Sequence, residues 1–108
     1  MTAEVAQPGG RGVPESLVGM ELIPGEDADA VAAAASDVNS EVKVDHQPHV
    51  TVVEAPGRLE IDPARVRQHL GRDWGADDLQ VIMASYFGFI SRWEEDGIVL
   101  EWMRASGE

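Results

Sequence analysis

The order of apolar and polar residues predicts a strand followed by a helix within residues 17–39. Residues 17–22, Leu-Val-Gly-Met-Glu-Leu, are typical of a strand, and Pro24-Gly25 is a strong turn signal after it. Residues 27–39 are rich in alanine, which has the highest helix propensity, and acidic residues stand where a helix N-terminus favours negative charge. The apolar positions that share one face of this helix are Val31, Ala34, Ala35 and Val38.

The next segment predicts three strands, of which the second and third form a hairpin. Residues 42–45 alternate between apolar and polar, and Pro48 after them indicates a strand at the edge of a sheet. Residues 49–54 are rich in β-branched side chains, and residues 58–61 alternate again on the other side of a Pro-Gly turn. A short turn between two such patterns predicts that the two strands pair with each other.

A second helix is predicted from the signals at its two ends. Asp62 suits the N-cap and Pro63 the first helical position, because the ring of proline presets a helical φ. Gly71 follows Leu70 and can adopt the positive φ that ends many helices. Residues 74–78 then predict a connector with room for one helical turn.

The last third of the chain predicts a long strand and a terminal hairpin. Residues 79–90 are apolar and partly β-branched, so we expect an extended strand whose pattern breaks at Gly88. A glycine inside a strand indicates a bulge, a tight bend or the close approach of a partner. Residues 95–97, Glu-Asp-Gly, are a hairpin signal before the last strand at residues 98–102.

Together these elements predict an α+β fold. Their order is β-α-β-β-β-α-β-β-β, with two helices packed on antiparallel hairpins and sheets. We expect one domain at residues 16–104, a flexible Gly- and Pro-containing tail at residues 1–15 and a disordered C-terminus at residues 105–108. The N-terminal tail is either a frayed terminus or an arm that orders on a partner.

Composition narrows the classes of partner. The chain has 20 acidic and eight basic residues, for a formal charge of −12, which argues against binding to nucleic acid or to an anionic membrane. The charge either steers the protein toward basic surfaces or serves solubility alone. Cysteine is absent, which excludes disulfides, thiolate metal sites and iron–sulfur clusters. With no secretory pattern and no apolar run of about 18–20 residues, we expect a cytoplasmic protein.

The histidines and carboxylates offer little catalytic chemistry. His46 and His49 are the one tempting metal pair, but a zinc site needs three or four ligands, so we expect ordinary exposed histidines. His69 suits the last turn of the second helix, where positive charge is favoured. The carboxylates are scattered over caps and turns, and no nucleophile elbow or phosphate loop is present. The sequence therefore predicts no cofactor, no metal and no catalytic residue.

The tryptophans are either core residues or anchors of a protein interface. Trp102 shares a face with Ile98 and Leu100, so we expect it in the core. Trp74 stands beside a glycine in a connector, where both interpretations remain open.

An ordered set of short motifs connects the chain to a known family. The motifs are Ala55-Pro56-Gly57-Arg58-Leu59, Leu70-Gly71-Arg72, Leu79-Gln80-Val81, Ala84-Ser85 and Gly88. With this order and spacing, residues 17–102 resemble the effector proteins, also called coupling or regulatory proteins, of soluble diiron monooxygenases that act on toluene, phenol and alkenes. Ile82 stands where aromatic-monooxygenase relatives often have Asn, and Phe87 where several have Ala, which leaves the hydrocarbon substrate open.

The resemblance implies a regulatory role without a cofactor. Effector proteins bind the diiron hydroxylase component and regulate oxygen activation, substrate access and electron transfer from a ferredoxin or reductase. They thereby couple oxygen activation to hydroxylation or epoxidation of an aromatic hydrocarbon or alkene. The residues expected to bind the partner are Leu70, Gly71, Arg72, Trp74, Ser85, Tyr86 and Gly88.

Two other functions remain open from the residues alone. An acidic adaptor or antitoxin-like protein would inhibit a basic partner, and its binding would fall steeply with salt. A small hydrolase would use His46 and His49 with nearby carboxylates, so alanine at both histidines would abolish its activity.

Overall fold

The computed structural model of the protein describes residues 17–102. Seven strands and three helices follow one another along this part of the chain. They are β1 (Leu17–Leu22), α1 (Glu26–Val38), β2 (Lys43–His46), β3 (Thr51–Pro56), β4 (Arg58–Ile61), α2 (Pro63–Leu70), α3 (Ala76–Ile82), β5 (Met83–Phe87), β6 (Phe89–Glu94) and β7 (Gly97–Glu101). The tails predicted at residues 1–15 and 105–108 lie outside the described residues.

The strands form two antiparallel sheets. One sheet has the order β2-β3-β1-β5 and the other the order β4-β7-β6. Helix α1 packs against α2 and against β3 and β4, one strand from each sheet. The predicted α+β class is confirmed, as are the edge position of β2 and the terminal hairpin of β6 and β7.

The two sheets and the helices share one hydrophobic core. Val18, Met20 and Leu22 point into it from β1 with full burial, since alternate residues of a strand face the same side. Leu59 and Leu100 face each other across β4 and β7 and are also fully buried. Burying each large side chain of this kind contributes about 1.5–3 kcal/mol. The alanines of α1 are small enough to let the helix lie close to both sheets.

Helix α2 has the ends that the sequence predicts. The Asp62 carboxylate accepts a hydrogen bond from the backbone N–H of Ala64 at 3.0 Å, and Pro63 begins the helix. Gly71 ends it in the left-handed conformation, with φ of 75°. Both ends depend on local chemistry, which is why the sequence alone located them.

Residues 76–82 form a third helix, α3, whereas the sequence predicts a connector with room for one helical turn at residues 74–78 and a strand from residue 79 onward. Leu79 is buried, and Ile82 and Met83 pack partly buried against the core, which is the i, i+3, i+4 spacing of a helix. If this segment were a strand, Val81 would lie on the same face as buried Leu79, yet 76% of the surface of Val81 is exposed. The Asp78 carboxylate accepts a hydrogen bond from the Gly75 N–H at 2.9 Å and thereby caps the helix. The strand predicted from this apolar, partly β-branched run is therefore wrong at residues 79–82.

The predicted hairpin of residues 49–54 and 58–61 is also wrong. β3 pairs with β1 and β2, whereas β4 pairs with β7 in the other sheet. Gly57 lies between them with φ of 79° and redirects the chain from one sheet to the next. Long-range pairing with β1 and β7 has therefore replaced the local pairing that the turn suggested.

Gly88 joins the two sheets a second time. It separates β5, which pairs with β1, from β6, which pairs with β7. Its φ is 109°, and a Cβ built on it would lie 2.7 Å from Cγ1 of Val18. The predicted break in the strand is thus a bend pressed against the core, which only glycine fits without strain.

Trp102 does not lie in the core, so the prediction from its position in the last strand is wrong. The residue follows β7 and is 41% exposed, whereas Ile98 and Leu100, with which it was expected to share a face, are fully buried. Its backbone N–H donates to the carbonyl oxygen of Gly57 at 2.9 Å, so the chain leaves the regular strand at this point.

Within residues 17–102, no helix is both long enough and apolar enough to cross a membrane.

Candidate functional site

The β5–β6 edge, residues 83–94, is an extended segment in which most residues are exposed. β5 pairs only with β1 and β6 only with β7, so each strand has one unpaired side. Most side chains of both strands are exposed, whereas β1 and β7 are almost entirely buried. A protein has to cover, charge or use such an edge, because unpaired strands readily pair with other chains.

Large apolar side chains lie on both sides of the bend in this edge. Tyr86 is 48% exposed, Phe89 51% and Ile90 37%. Tyr86 lies directly opposite buried Met20 of β1, and Phe89 lies directly opposite Glu101 of β7. Aromatic residues are enriched at protein interfaces. Their clustering around Gly88 makes this edge a candidate surface for protein docking.

Ser85 gives the same edge a polar position. Its hydroxyl donates to the carboxylate of Glu21 at 2.9 Å, across the pairing of β5 with β1. The two side chains share the outer face of the first sheet, because directly paired residues of an antiparallel sheet point to the same side. A partner on this face would therefore meet a carboxylate that is held in place by a hydroxyl.

The segment that follows α2 is mainly structural. Leu70 is half-buried against the core, and Gly71 supplies the left-handed turn that ends the helix. Arg72 is exposed and forms an ion pair of 2.5 Å with Asp27 in the first turn of α1. These contacts tie the end of one helix to the start of another.

Trp74 lies inside the protein, with 3% of its surface exposed. Arg67 donates a hydrogen bond to its carbonyl oxygen at 2.8 Å, which holds the connector against α2. The structure thus separates the seven residues expected to bind the partner: Ser85, Tyr86 and Gly88 belong to the β5–β6 edge, and the other four to the end of α2 and the connector. Their contact with a partner stays a prediction.

Phe89, Ile90 and Val81 are exposed residues that the sequence analysis did not select. A signal for the first two is present in the sequence. Adjacent apolar residues in a strand point to opposite faces, so Phe89 and Ile90 cannot both face the core. Val81 has no comparable signal, because its exposure follows from the helical conformation of α3.

Two of the three histidines, His46 and His69, lie beside carboxylates of α1. His69 Nε2 is 2.8 Å from Asp37 Oδ2, and His46 Nδ1 is 3.9 Å from Asp29 Oδ1. In the part of the chain that the structure describes, no group of three or more His, Asp or Glu side chains is placed to hold a metal ion. The features that stand out in this part of the chain are those of a protein-binding module.

Comparison with known families identifies the kind of module. Residues 16–101 match the MmoB/DmpM family. Because the match spans most of the chain, the protein belongs to this family. The resemblance to effector proteins of diiron monooxygenases, based on the ordered motifs, is thereby confirmed.

A curated relative and two solved structures extend this result. The chain is 32% identical over 87 residues to the stimulatory component DmpM of phenol 2-monooxygenase from Pseudomonas sp. (strain CF600), covering 81% of this chain and 96% of that protein. A chain in a structure of a phenol hydroxylase–regulatory protein complex superposes with a TM-score of 0.72 at 28% identity, covering 81% of this chain and 99% of that one. The regulatory protein B of soluble methane monooxygenase shares the fold, with a TM-score of 0.63 at 17% identity over 89% of this chain and 70% of that one.

These relatives are named stimulatory or regulatory components rather than catalytic subunits. They favour the regulatory interpretation of this chain over the acidic inhibitor and over the small hydrolase.

Proposed function

We propose that this protein is the regulatory component of a multicomponent monooxygenase and acts by binding the diiron hydroxylase component. The observation that carries this function is family membership over residues 16–101, combined with similarity to the regulatory protein of a phenol hydroxylase complex. The shared fold covers 99% of that chain. The complex works in the cytoplasm, on an aromatic hydrocarbon or an alkene.

The mechanism is a shift in the conformation of the hydroxylase. A protein that supplies no redox group can influence oxygen activation, substrate access or electron delivery only by binding one state of the enzyme better than another. A preference of about 1–3 kcal/mol changes the population of that state about 5- to 150-fold. A ferredoxin or reductase then delivers electrons to a hydroxylase whose active state is more populated.

The β5–β6 edge is the proposed docking surface. Three exposed apolar side chains surround the bend at Gly88, and both strands have an unpaired side. The bend itself is fixed, because Gly88 is packed against Val18 of the core. A surface of this kind loses little conformational freedom on binding, which favours a stable complex. Burial of about 1,600 Å² in total is usual for such a complex, so the partner would also cover neighbouring residues.

The function is tested by titrating this protein into the matching hydroxylase and its electron-transfer proteins. Product formed and reductant consumed are both measured. We expect product per reductant to rise and to saturate near one regulatory protein per active site. An unchanged ratio, with no complex by size-exclusion chromatography, would contradict the regulatory function.

The docking surface is tested with Tyr86→Ala and Phe89→Ala. Each truncation removes an exposed aromatic side chain, and interface aromatics often contribute 2 kcal/mol or more, so we expect about a tenfold or larger rise in the concentration that gives half-maximal stimulation. Val38→Ala is the matched control, since Val38 is a 36% exposed apolar residue at the end of α1. Equal effects of all three variants would place the docking surface elsewhere.

Gly88 is unsuitable for this test. Any side chain there meets Val18 and requires a φ of 109°, so its replacement would disturb the fold together with the surface.

A further inference from the structure

The turn between β6 and β7 contains a dipeptide whose backbone is chemically reactive. Asp96 is followed by Gly97, and this is the only place in the sequence where glycine follows an aspartate or an asparagine. Because glycine lacks a Cβ, its backbone nitrogen is uncrowded and can attack the carboxyl group of the preceding side chain. The turn is therefore the position in this chain where the backbone rearranges most readily.

Asp96 lies at the exposed tip of this hairpin. Its side chain is 79% exposed, so water reaches the carboxyl group freely. Glu94 pairs with Gly97 as the first rung of the hairpin, which leaves only residues 95 and 96 in the turn. Exposed turns open at a much lower free-energy cost than core strands do. Movement of the Gly97 nitrogen toward Cγ of Asp96 therefore does not require the sheets to unfold.

Arg92 holds the Asp96 carboxylate in an ion pair. Its Nη2 lies 2.9 Å from Oδ1 of Asp96, and its Nε lies 3.1 Å from Oε1 of Glu94. The hydrogen bond to Glu94, together with the charges of Asp96 and Glu94, raises the pKa of Arg92. The ion pair uses the ionised carboxylate, which is a much poorer electrophile than a carboxylic acid. The pair therefore opposes attack at Cγ of Asp96 and also holds the side chain in place.

The guanidinium of Arg92 also occupies the space beside Gly97. A Cβ built on Gly97 would lie 2.8 Å from both Cζ and Nη1 of Arg92. Any larger residue at position 97 would therefore displace the guanidinium from its two carboxylates. The same packing thus requires the glycine that makes the turn reactive and supplies the cation that restrains the reaction.

Asn39 provides a contrast within the same molecule. It is the only asparagine of the chain and is followed by Ser40, a second combination that is prone to this reaction. Its Nδ2 donates to the carbonyl oxygens of Ala35 and Glu60 at 2.8 Å each, and its Oδ1 accepts from the Glu60 N–H at 3.0 Å. Among the described residues, the Asp96 carboxylate is held by a single cation. We therefore expect the reaction at residue 96 and not at residue 39.

We propose that Asp96 is a site of isoaspartate formation and that Arg92 restrains the reaction. The nitrogen of Gly97 loses its proton and bonds to Cγ of the protonated carboxyl group, whose C–OH bond breaks and releases water. Water then adds to one carbonyl group of the resulting succinimide ring. Breaking the bond from the ring nitrogen to the main-chain carbonyl carbon gives isoaspartate, in which Gly97 is attached through Cγ, whereas breaking the other C–N bond restores aspartate. One water is lost and one is gained, without an oxidant or a reductant.

The product would be recognised by a particular class of enzyme. Isoaspartate adds one methylene group to the backbone of the turn and carries a free α-carboxylate. A carboxyl methyltransferase specific for isoaspartate transfers a methyl group from S-adenosylmethionine to this carboxylate and leaves S-adenosylhomocysteine. This chemistry is independent of the regulatory function proposed above.

The test is ageing of the full-length protein at neutral pH and physiological temperature. Isoaspartate is measured by methylation with a purified isoaspartyl methyltransferase, and peptide mapping with electron-transfer dissociation locates it in the chain. We expect it to accumulate at residue 96 and to be absent at residue 39. Asp96→Glu should abolish it in the turn, because glutamate would have to form a larger and less favourable ring.

Arg92→Gln tests the restraint. Removal of the cation should speed isoaspartate formation at residue 96 about two- to fivefold, the range expected for an exposed ion pair. Arg58→Gln is the matched control, since Arg58 is also half-exposed in the same sheet and pairs with two carboxylates, those of Glu60 and Glu101. Urea denaturation of both variants distinguishes release of the turn from destabilisation of the whole sheet. The proposal is overturned if Arg92→Gln forms no isoaspartate at residue 96, if Arg58→Gln accelerates the reaction equally, or if residue 39 reacts instead.

Discussion

The chain passes directly from one sheet to the other at two places, and each passage uses a single glycine. Gly57 joins β3 to β4 with φ of 79°, and Gly88 joins β5 to β6 with φ of 109°. A Cβ at Gly57 would meet nothing within 4 Å, whereas one at Gly88 would meet Val18 Cγ1 at 2.7 Å. Both glycines adopt a positive φ, but only Gly88 is packed against the core.

The strands on either side of the two glycines differ in how exposed their side chains are. β3 and β4 bury alternate side chains, whereas most side chains of β5 and β6 are exposed. The more exposed passage therefore has the more tightly packed bend. A docking surface gains from this combination, because its side chains are free to contact a partner while its backbone is held by the fold.

The largest expected effect is that of Gly88→Ala on stability. The substitution combines left-handed backbone strain with crowding against Val18, so we expect the free energy of unfolding to fall by about 2–5 kcal/mol. Urea denaturation followed by circular dichroism measures the change. A loss below about 1 kcal/mol would mean that the bend can relax away from Val18.

Gly57→Ala should cost less, because strain acts there without crowding. We expect a loss of about 1–2 kcal/mol, the usual cost of a left-handed conformation for a residue with a Cβ. The same urea experiment compares the two variants directly. A larger loss for Gly57→Ala than for Gly88→Ala would reverse the comparison between the two passages.

A double-mutant cycle sharpens the comparison by isolating the crowding. In the Val18→Ala background, Gly88→Ala should cost about 1 kcal/mol less than in the unmutated sequence, since Cγ1 of Val18 at 2.7 Å is removed while its Cβ at 2.9 Å stays. The free energies of unfolding of the two single variants and the double variant provide this coupling. Strict additivity would show that the contact with Cγ1 of Val18 contributes little to the need for glycine at position 88.

The smallest expected effect on stability is that of Tyr86→Ala. The side chain is half exposed on an edge strand, so we expect the free energy of unfolding to change by no more than about 0.5 kcal/mol. Stimulation of the hydroxylase should nevertheless weaken. If stability falls by 2 kcal/mol instead, the ring serves the fold, and its loss would say little about docking.

Sequence reasoning succeeded where the chemistry of a few neighbouring residues decides the structure. Asp62 and Pro63 begin α2 and Gly71 ends it, because a cap, a preset φ and a left-handed turn act within one helical turn. It failed at residues 79–82, where a short apolar run fits both a strand and a helix, and the contacts of Leu79 and Ile82 with the core select the helix.

The candidate docking surface could be predicted only in part. Ser85, Tyr86 and Gly88 were selected from the sequence, but the exposure of Phe89 and Ile90 depends on β6 being the last strand of its sheet. A cavity of about 350 Å³ that is lined by residues 73–78 and Glu95 could not be predicted, because these residues come together only when the hairpin of β6 and β7 has folded beside the connector.

The sequence by itself determined the α+β class, the acidic surface, the ends of α2 and the family. Composition, capping and motif order are all read along the chain, without knowledge of distant neighbours. The tertiary structure alone decided that β3 and β4 belong to different sheets, that Trp74 is buried while Trp102 is exposed, and that Gly88 is pressed against Val18. The physical reason is that strand pairing and burial depend on residues far apart in sequence, which local preferences do not specify.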